Sequence, residues 1–367
     1  MRIRPRALAA ILCLSSALAF FPVASVAQGP SYELWVGNQT TDEVLIFDGR
    51  TLSLVARIPV DTDDRPATSG PHLITFTPDN RFALVANVVA GANRNNIVVI
   101  EAASRRIVGV VPAGPSAHQA KPSPDGRRFW VVNVASHDLT EVEIQGTAFS
   151  PGRRFSSGGI RPITLVFTRD GRKAYLTNGG SPAGPGSIVV LDTASGSVLK
   201  KWDDLGREAV YTALSEDGRR IYANVGFHTA NPAAKNDIFF VFDTATDTIV
   251  HQAQLPYQDL HIFAEAPNRN ELWITARFAN QIVVVETRTG RYQVVAVIPT
   301  PDKPDGIAFA PDGSRAFVAH RGTAVTGDIH TLTGRQPGFS VIDVAARRVL
   351  GHIPLDGDIH GVAVRRN

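Results

Sequence analysis

The feature that most restricts what this chain can fold into is a tight turn that returns at nearly even intervals. It appears as Thr77-Pro78-Asp79-Asn80, Ser123-Pro124-Asp125-Gly126 and Thr168-Arg169-Asp170-Gly171. It continues as Ser215-Glu216-Asp217-Gly218, Ala266-Pro267-Asn268-Arg269 and Ala310-Pro311-Asp312-Gly313. Proline presets φ, the aspartate caps its own turn, and glycine or asparagine tolerates positive φ. The period of about 44 to 51 residues lies in the range of propeller blades.

Each turn leads into a short β-rich run ending in a polar residue: 82–87, 129–133, 174–178, 221–224, 272–277 and 316–320. An apolar strand closing on an acid follows, at 97–101, 188–192, 238–243, 282–286 and 339–343. A second turn such as Thr193-Ala194-Ser195-Gly196 and a last strand such as 348–353 complete the unit. Four short strands per unit, with almost no helical periodicity, predict an all-β, seven-bladed β-propeller of four-stranded blades. The chain opens midway through a blade, at 34–36, 44–48 and 53–60, and ends on 359–364, an innermost-strand pattern. The C-terminal strand is therefore expected to complete the first blade and leave no open sheet edge. Residues 139–155 depart most, lacking the strand-ending aspartate, and 146–159 read as irregular. The succession of Pro-Asp-Gly, Tyr-Val-x-Asn and Val-x-Val-Ile-Asp segments resembles the repeats of the YVTN β-propeller family. That resemblance implies the ring fold for nearly all of residues 28–367. It says little about activity, because propellers host unrelated functions.

Aligning the innermost strands on the residue before each turn exposes a chemical pattern. The aligned residues are Phe76, Pro122, Phe167, Leu214, Glu265, Phe309 and Val364. Four positions earlier stand His72, His118, Ile163, Val210, His261, Asp305 and His360, although the chain has only ten histidines. Read around a closed ring, His261, Asp305, His360, His72 and His118 form one continuous polar arc, which Ile163 and Val210 complete. Residues at the start of neighbouring inner strands converge at one mouth of the channel, as metal coordination requires. The set predicts a transition metal held by His72, His118, His261 and His360, with copper or iron favoured and zinc a further option. Asp305 is expected to act as an extra ligand or base, and the apolar side to accommodate an organic substrate. Arg277 and His320, at the ends of second strands, are expected to support the ligands or touch substrate. Long connections at 88–96, 179–186, 225–236 and 321–338 leave from the same mouth and carry His228 and His330. His137, His251 and His352 fall elsewhere in the repeat and are expected to be solvated.

The N-terminus speaks to the compartment. Arg2, Arg4 and Arg6 precede an apolar stretch over 7–21, and Ser25-Val26-Ala27 offers a cleavage point, so residues 1–27 read as a Sec-type signal peptide. The protein is expected in the periplasm or outside the cell, with no membrane span in its mature form. Removing the three arginines leaves 34 basic against 34 acidic residues, which gives no electrostatic case for nucleic acid. The single cysteine, Cys13, lies in the leader. The remaining chain has no thiol for disulfides, zinc thiolates, iron–sulfur clusters or a Cys-x-x-Cys-His haem attachment. It also lacks HExxH, Gly-x-Ser-x-Gly and dinucleotide fingerprints.

The expected function is thus a metal-dependent enzyme of oxidoreductase or lyase type, acting on a small organic molecule. Two other classes fit the same sequence. One is a non-catalytic propeller that grips a peptide, glycan or protein partner. The other is a cofactor-handling redox partner, resembling the propeller subunits of amine dehydrogenases or haem d1 proteins.

Overall fold

The computed structural model describes residues 31–61, 70–88, 95–181, 185–203, 205, 208–226, 237–323 and 332–366. The expected leader, His228 and His330 lie outside the described residues, as do 89–94, 227–236 and 324–331 of the long connections. Seven four-stranded antiparallel sheets are arranged around an axis. Blades 1 to 6 follow the chain, and their innermost strands are Gly70–Phe76, Ala117–Pro122, Pro162–Phe167, Glu208–Leu214, Leu260–Ala266 and Pro304–Phe309. In blade 7 the C-terminal strand Ile359–Arg366 pairs with Tyr32–Asn38, followed by Glu43–Asp48 and Leu54–Pro59. The expected closure by the C-terminal strand is therefore what forms, and it ties both chain ends into one sheet.

Hydrophobic cores lie between blades rather than at the axis. Trp273 and Ile282 of blade 5, for example, pack with Ala316, Val318 and Ile342 of blade 6. A polar latch repeats at the rim. Glu33 accepts from Trp35 of its own blade at 2.9 Å and pairs at 2.6 Å with Arg105 on a turn of blade 1. Glu271 accepts from Trp273 at 3.1 Å and pairs at 2.8 Å with Arg347 on the matching turn of blade 6. Blade 3 reverses the charges: Lys173 pairs with Asp247 of blade 4 at 2.6 Å, and Tyr175 donates to the same carboxylate.

The expectation of irregularity at 146–159 holds only in part. Asp138–Gln145 and Ala148–Ser156 form a hairpin across Gly146, whose φ is +68°, and the irregularity is confined to a register shift between Thr140 and Val142 and to residues 157–159 beyond the strand. The strand-ending acid is dispensable there because the alternation of side chains and a two-residue turn suffice to pair the strands. Among the described residues no helix is long and apolar enough to cross a membrane.

Candidate metal centre on the channel axis

All seven column residues sit in the same backbone device. Each innermost strand breaks register with its second strand at this point: Pro71/Ile74, Ala117/Gln119, Pro162/Leu165, Ala209/Thr212, Leu260/Phe263, Pro304/Ile307 and Val36/Asn38. A bulge bends the strand and re-aims the extra residue. Bulge amides lost to the ladder find side chains instead: Ile262 donates to Thr275 Oγ1 at 3.0 Å, and Tyr211 to Asn224 Oδ1 at 3.0 Å.

The seven side chains are buried, none more than 3% exposed. Ring centroids lie 4.3 Å apart for His72–His118, 3.7 Å for His72–His360 and 6.1 Å for His261–His360. Side chains separated by up to 288 residues in the chain thus meet at one place. The structure divides the arc into two parts. His261, Asp305 and His360 each offer one ligand atom, and these atoms lie within 4.8 Å of one another, so the three could hold a metal ion. Asp305 Oδ1 is 3.1 Å from His261 Nε2, and its Oδ2 is 3.6 Å from His360 Nε2. His360 directs Nδ1 to the His72 carbonyl at 3.2 Å. A proton on Nδ1 leaves Nε2 turned toward Asp305 as a lone-pair donor, the orientation metal-binding imidazoles usually receive from a backbone carbonyl.

His72 and His118 form a hydrogen-bonded chain beside this triad. Their Nε2 atoms are 2.8 Å apart, and His72 Nδ1 is 2.9 Å from Gln39 Nε2. Gln39 Oε1 in turn accepts from Arg321 at 3.5 Å. With the amide in this orientation His72 accepts at Nδ1, so its proton sits on Nε2 and points at His118. Burial drives His118 down to about 3. Burial, reinforced by His360, His118 and Arg321, holds His72 well below its ordinary value, and burial does the same to His360. Neutral imidazoles are the form that coordinates metal. Burial alone would raise Asp305, but His360, His261 and Arg277 keep its carboxyl well below the usual range. Tyr211, whose ring is 6.4 Å from that of His261, is pushed up to about 12 by burial and Asp305.

Arg277 and His320 take different places. Arg277 is completely buried, forks onto Asp259 at 2.7 and 2.9 Å and reaches Asp305 Oδ2 at 3.3 Å. His320 is buried within blade 6, with Nδ1 at 3.1 Å from the Asp302 carbonyl and Nε2 at 2.8 Å from Ser340 Oγ. The structure does not bring it into the cluster. The residue that matches Arg277 is Arg321: their amides bond the carbonyls of Asp259 and Lys303, whereas His320 pairs with Pro304 as Ala276 pairs with Leu260. Arg321 forks onto Asp358 at 2.8 and 2.6 Å and reaches Asp305 Oδ2 at 3.4 Å. Sequence reading missed Arg321 by ending the run 272–277 one residue past the strand Glu271–Ala276. It also missed Asp259 and Asp358, although both stand two residues before a column histidine. His137 is exposed as expected, but His251 and His352 are half-buried, against Tyr292 and against the His320 ring.

No family model matches the chain. It is 25% identical over 300 residues to the uncharacterized protein YncE of Salmonella typhimurium, covering 81% of this chain and 68% of that protein. YncE of Salmonella typhi is 24% identical over the same length. Among solved structures, a chain of Kuenenia stuttgartiensis hydrazine synthase superposes with a TM-score of 0.66 at 16% identity, covering 94% of this chain and all of that one. The dihydro-heme d1 dehydrogenase NirN in complex with DHE superposes with a TM-score of 0.58 at 16% identity, over 94% and 79% of the two chains. A chain of the mitotic checkpoint complex reaches 0.64 at 12% identity, over 78% and 84%. Likeness at such identities is likeness of fold, and together with the ring of sheets it shows that the chain is a seven-bladed β-propeller similar to YncE.

Proposed function

We propose that this is an exported β-propeller that binds a transition-metal ion at the channel axis and uses it as an oxidoreductase or lyase on a small organic substrate. The observation that carries the reading is the convergence of His261, Asp305 and His360, two imidazoles and a carboxylate within 4.8 Å, in a fully buried setting. Two histidines and one carboxylate with further positions open are the donor set of non-haem iron(II) sites, while an imidazole-rich set also suits copper or zinc. His72 and His118, on the same arc, would join the set by exchanging the hydrogen bond between them for the ion. A bound ion would supply Lewis-acid or redox chemistry there.

The protein's own residues set the terms. Asp305 is the shared carboxylate between the two imidazoles, and Arg277 and Arg321 both reach its Oδ2, the oxygen that faces His360. His320 works at one remove, fixing the Asp302 carbonyl in the turn that leads into the strand carrying Asp305. Ile163 and Val210 give the ring its apolar side. The segment 1–27, with its three arginines and apolar stretch, supports export to the periplasm or beyond.

Elemental analysis of the mature protein, recovered from the periplasmic fraction, tests this directly, together with an anomalous-difference map. One equivalent of iron, copper or zinc, lost in His261→Ala/His360→Ala, is the expected result. A protein that stays metal-free after supplementation overturns the reading and favours a non-catalytic binding propeller. A tetrapyrrole absorption band favours a cofactor-handling one.

A further inference from the structure

Gln39 stands directly after Tyr32–Asn38, the second strand of blade 7, in the place Arg277 takes after the second strand of blade 5. As Arg277 reaches Asp305 of the next blade, Gln39 reaches His72 of the next blade. Gln39 is 1% exposed, and its backbone N–H donates to the Asp358 carbonyl at 2.8 Å. Its side chain bridges two groups of unlike chemistry. A guanidinium has donors only, so the amide oxygen is the atom that meets Arg321, at 3.5 Å. The amide nitrogen is left for His72 Nδ1, at 2.9 Å, and it too can only donate. A neutral imidazole that accepts at Nδ1 carries its proton at Nε2, and His118 Nε2 receives that proton's bond at 2.8 Å. Through one amide, Arg321 thus sets which nitrogens of His72 and His118 stay bare.

A metal takes the bare nitrogen of an imidazole. His118 already presents a bare Nε2 and needs only to give up its bond to His72. For His72 the exchange has a second cost, because its proton must also move to Nδ1. There it would face the Gln39 amide, donor against donor, and both N–H groups would be buried without an acceptor. Resting on the metal reading above, we propose that Gln39 is a positioning residue that withholds His72 from the ion. The set open to the metal is then His261, Asp305, His360 and, on release, His118, while His72 remains a hydrogen-bond donor.

The test is NMR of isotope-labelled histidine nitrogens in the full mature chain, without metal and with zinc chloride. The His72 signals are those lost in His72→Gln. Without zinc, His72 should be protonated at Nε2 and bare at Nδ1. Zinc should shift nitrogens of His261 and His360 and leave the His72 Nε2–H in place. Gln39→Glu replaces the donor by an acceptor of the same shape, so the His72 proton should move to Nδ1 and zinc should then shift His72 Nε2. Should that variant misfold, Gln39→Met removes the amide without adding charge, and His72 should populate both tautomers. A chain that takes up no zinc overturns the metal reading and the withholding with it, while the zinc-free tautomers still decide whether Gln39 places the proton. Zinc on His72 Nε2 in the unaltered chain overturns the withholding and leaves the metal site standing. A His72 proton at Nδ1 from the outset, or a tautomer indifferent to both Gln39 variants, overturns the role given to Gln39.

Discussion

The polar and apolar sides of the channel ring are built on the same backbone. Ile163 and Val210 occupy the same bulge as His261, Asp305, His360, His72 and His118, and all are buried. On the apolar side hydroxyls link the two neighbouring stations: Thr177 donates to the Val210 carbonyl at 3.0 Å, and the Thr212 amide donates to Thr164 Oγ1 at 3.0 Å. On the polar side the inner strands come closer through glycine. A Cβ on Gly306 would stand 2.6 Å from the His360 carbonyl oxygen, and one on Gly361 would stand 2.5 Å from that of His72. The carbonyl that crowds Gly361 is the one that orients His360. The ring thus supplies seven equivalent stations, and the neighbours of each station decide whether it packs or holds a polar group.

The sharpest way to break this comparison is to empty one station on each side. Asp305→Ala leaves two buried guanidiniums facing a gap and should cost about 3–5 kcal/mol, the usual scale for removing one partner of a buried pair. Ile163→Val only trims a methyl group and should cost about 0.5–1.5 kcal/mol. Urea denaturation of both variants decides it, and equal losses would mean the two sides are energetically alike. A second contrast uses close approach. Gly361→Ala overpacks the His360–His72 contact, costs about 1–3 kcal/mol and weakens metal binding more than it lowers the melting temperature. Gly351→Ala, where a Cβ meets nothing within 4 Å, should change neither.

The smallest effect separates stations by pH. His320 occupies the register position that Asn178 holds on the apolar side. Burial, aided by His352, pushes His320 down to about 4. Between its ordinary value near 6.5 and about 4, the unfolded chain binds a proton that the folded chain refuses. Stability is therefore lost as pH falls through that window, by about 1.4 kcal/mol per pH unit for this ring. His320→Gln should flatten the slope of unfolding free energy between pH 7 and 5 by that share. An unchanged slope would show that the ring is already protonated in the native state.

Much of the fold was legible because turn chemistry is local. Pro-Asp-Gly turns and alternating strands reveal themselves over a few residues, and six such turns with a C-terminal inner strand imply a ring of seven units. The histidine column was legible for the same reason, since the bulge lies a constant four residues before each turn. Arg321 was not, because it lies one residue beyond its strand Arg315–His320, and only the pairing of Glu271–Ala276 shows that Arg277 stands in the same place. Gln39, Asp259 and Asp358 carry no rare residue type to mark them. Their signal is positional: Arg277, Arg321 and Gln39 all follow a second strand, and both aspartates precede a column histidine by two.

By itself, then, the sequence determined the repeat, the blade count, the closure by the C-terminal strand and which seven residues share the inner station. Each of these depends on patterns within one repeat, where backbone geometry links neighbours in the chain. Only the tertiary structure decided that His261, Asp305 and His360 bring their ligand atoms within 4.8 Å of one another while His72 and His118 bond to each other. It also brought Arg277 and Arg321, from two separate loops, to the same oxygen of Asp305. Those outcomes depend on how closely adjacent inner strands approach and how each bulge turns its side chain, and both are set by contacts between blades.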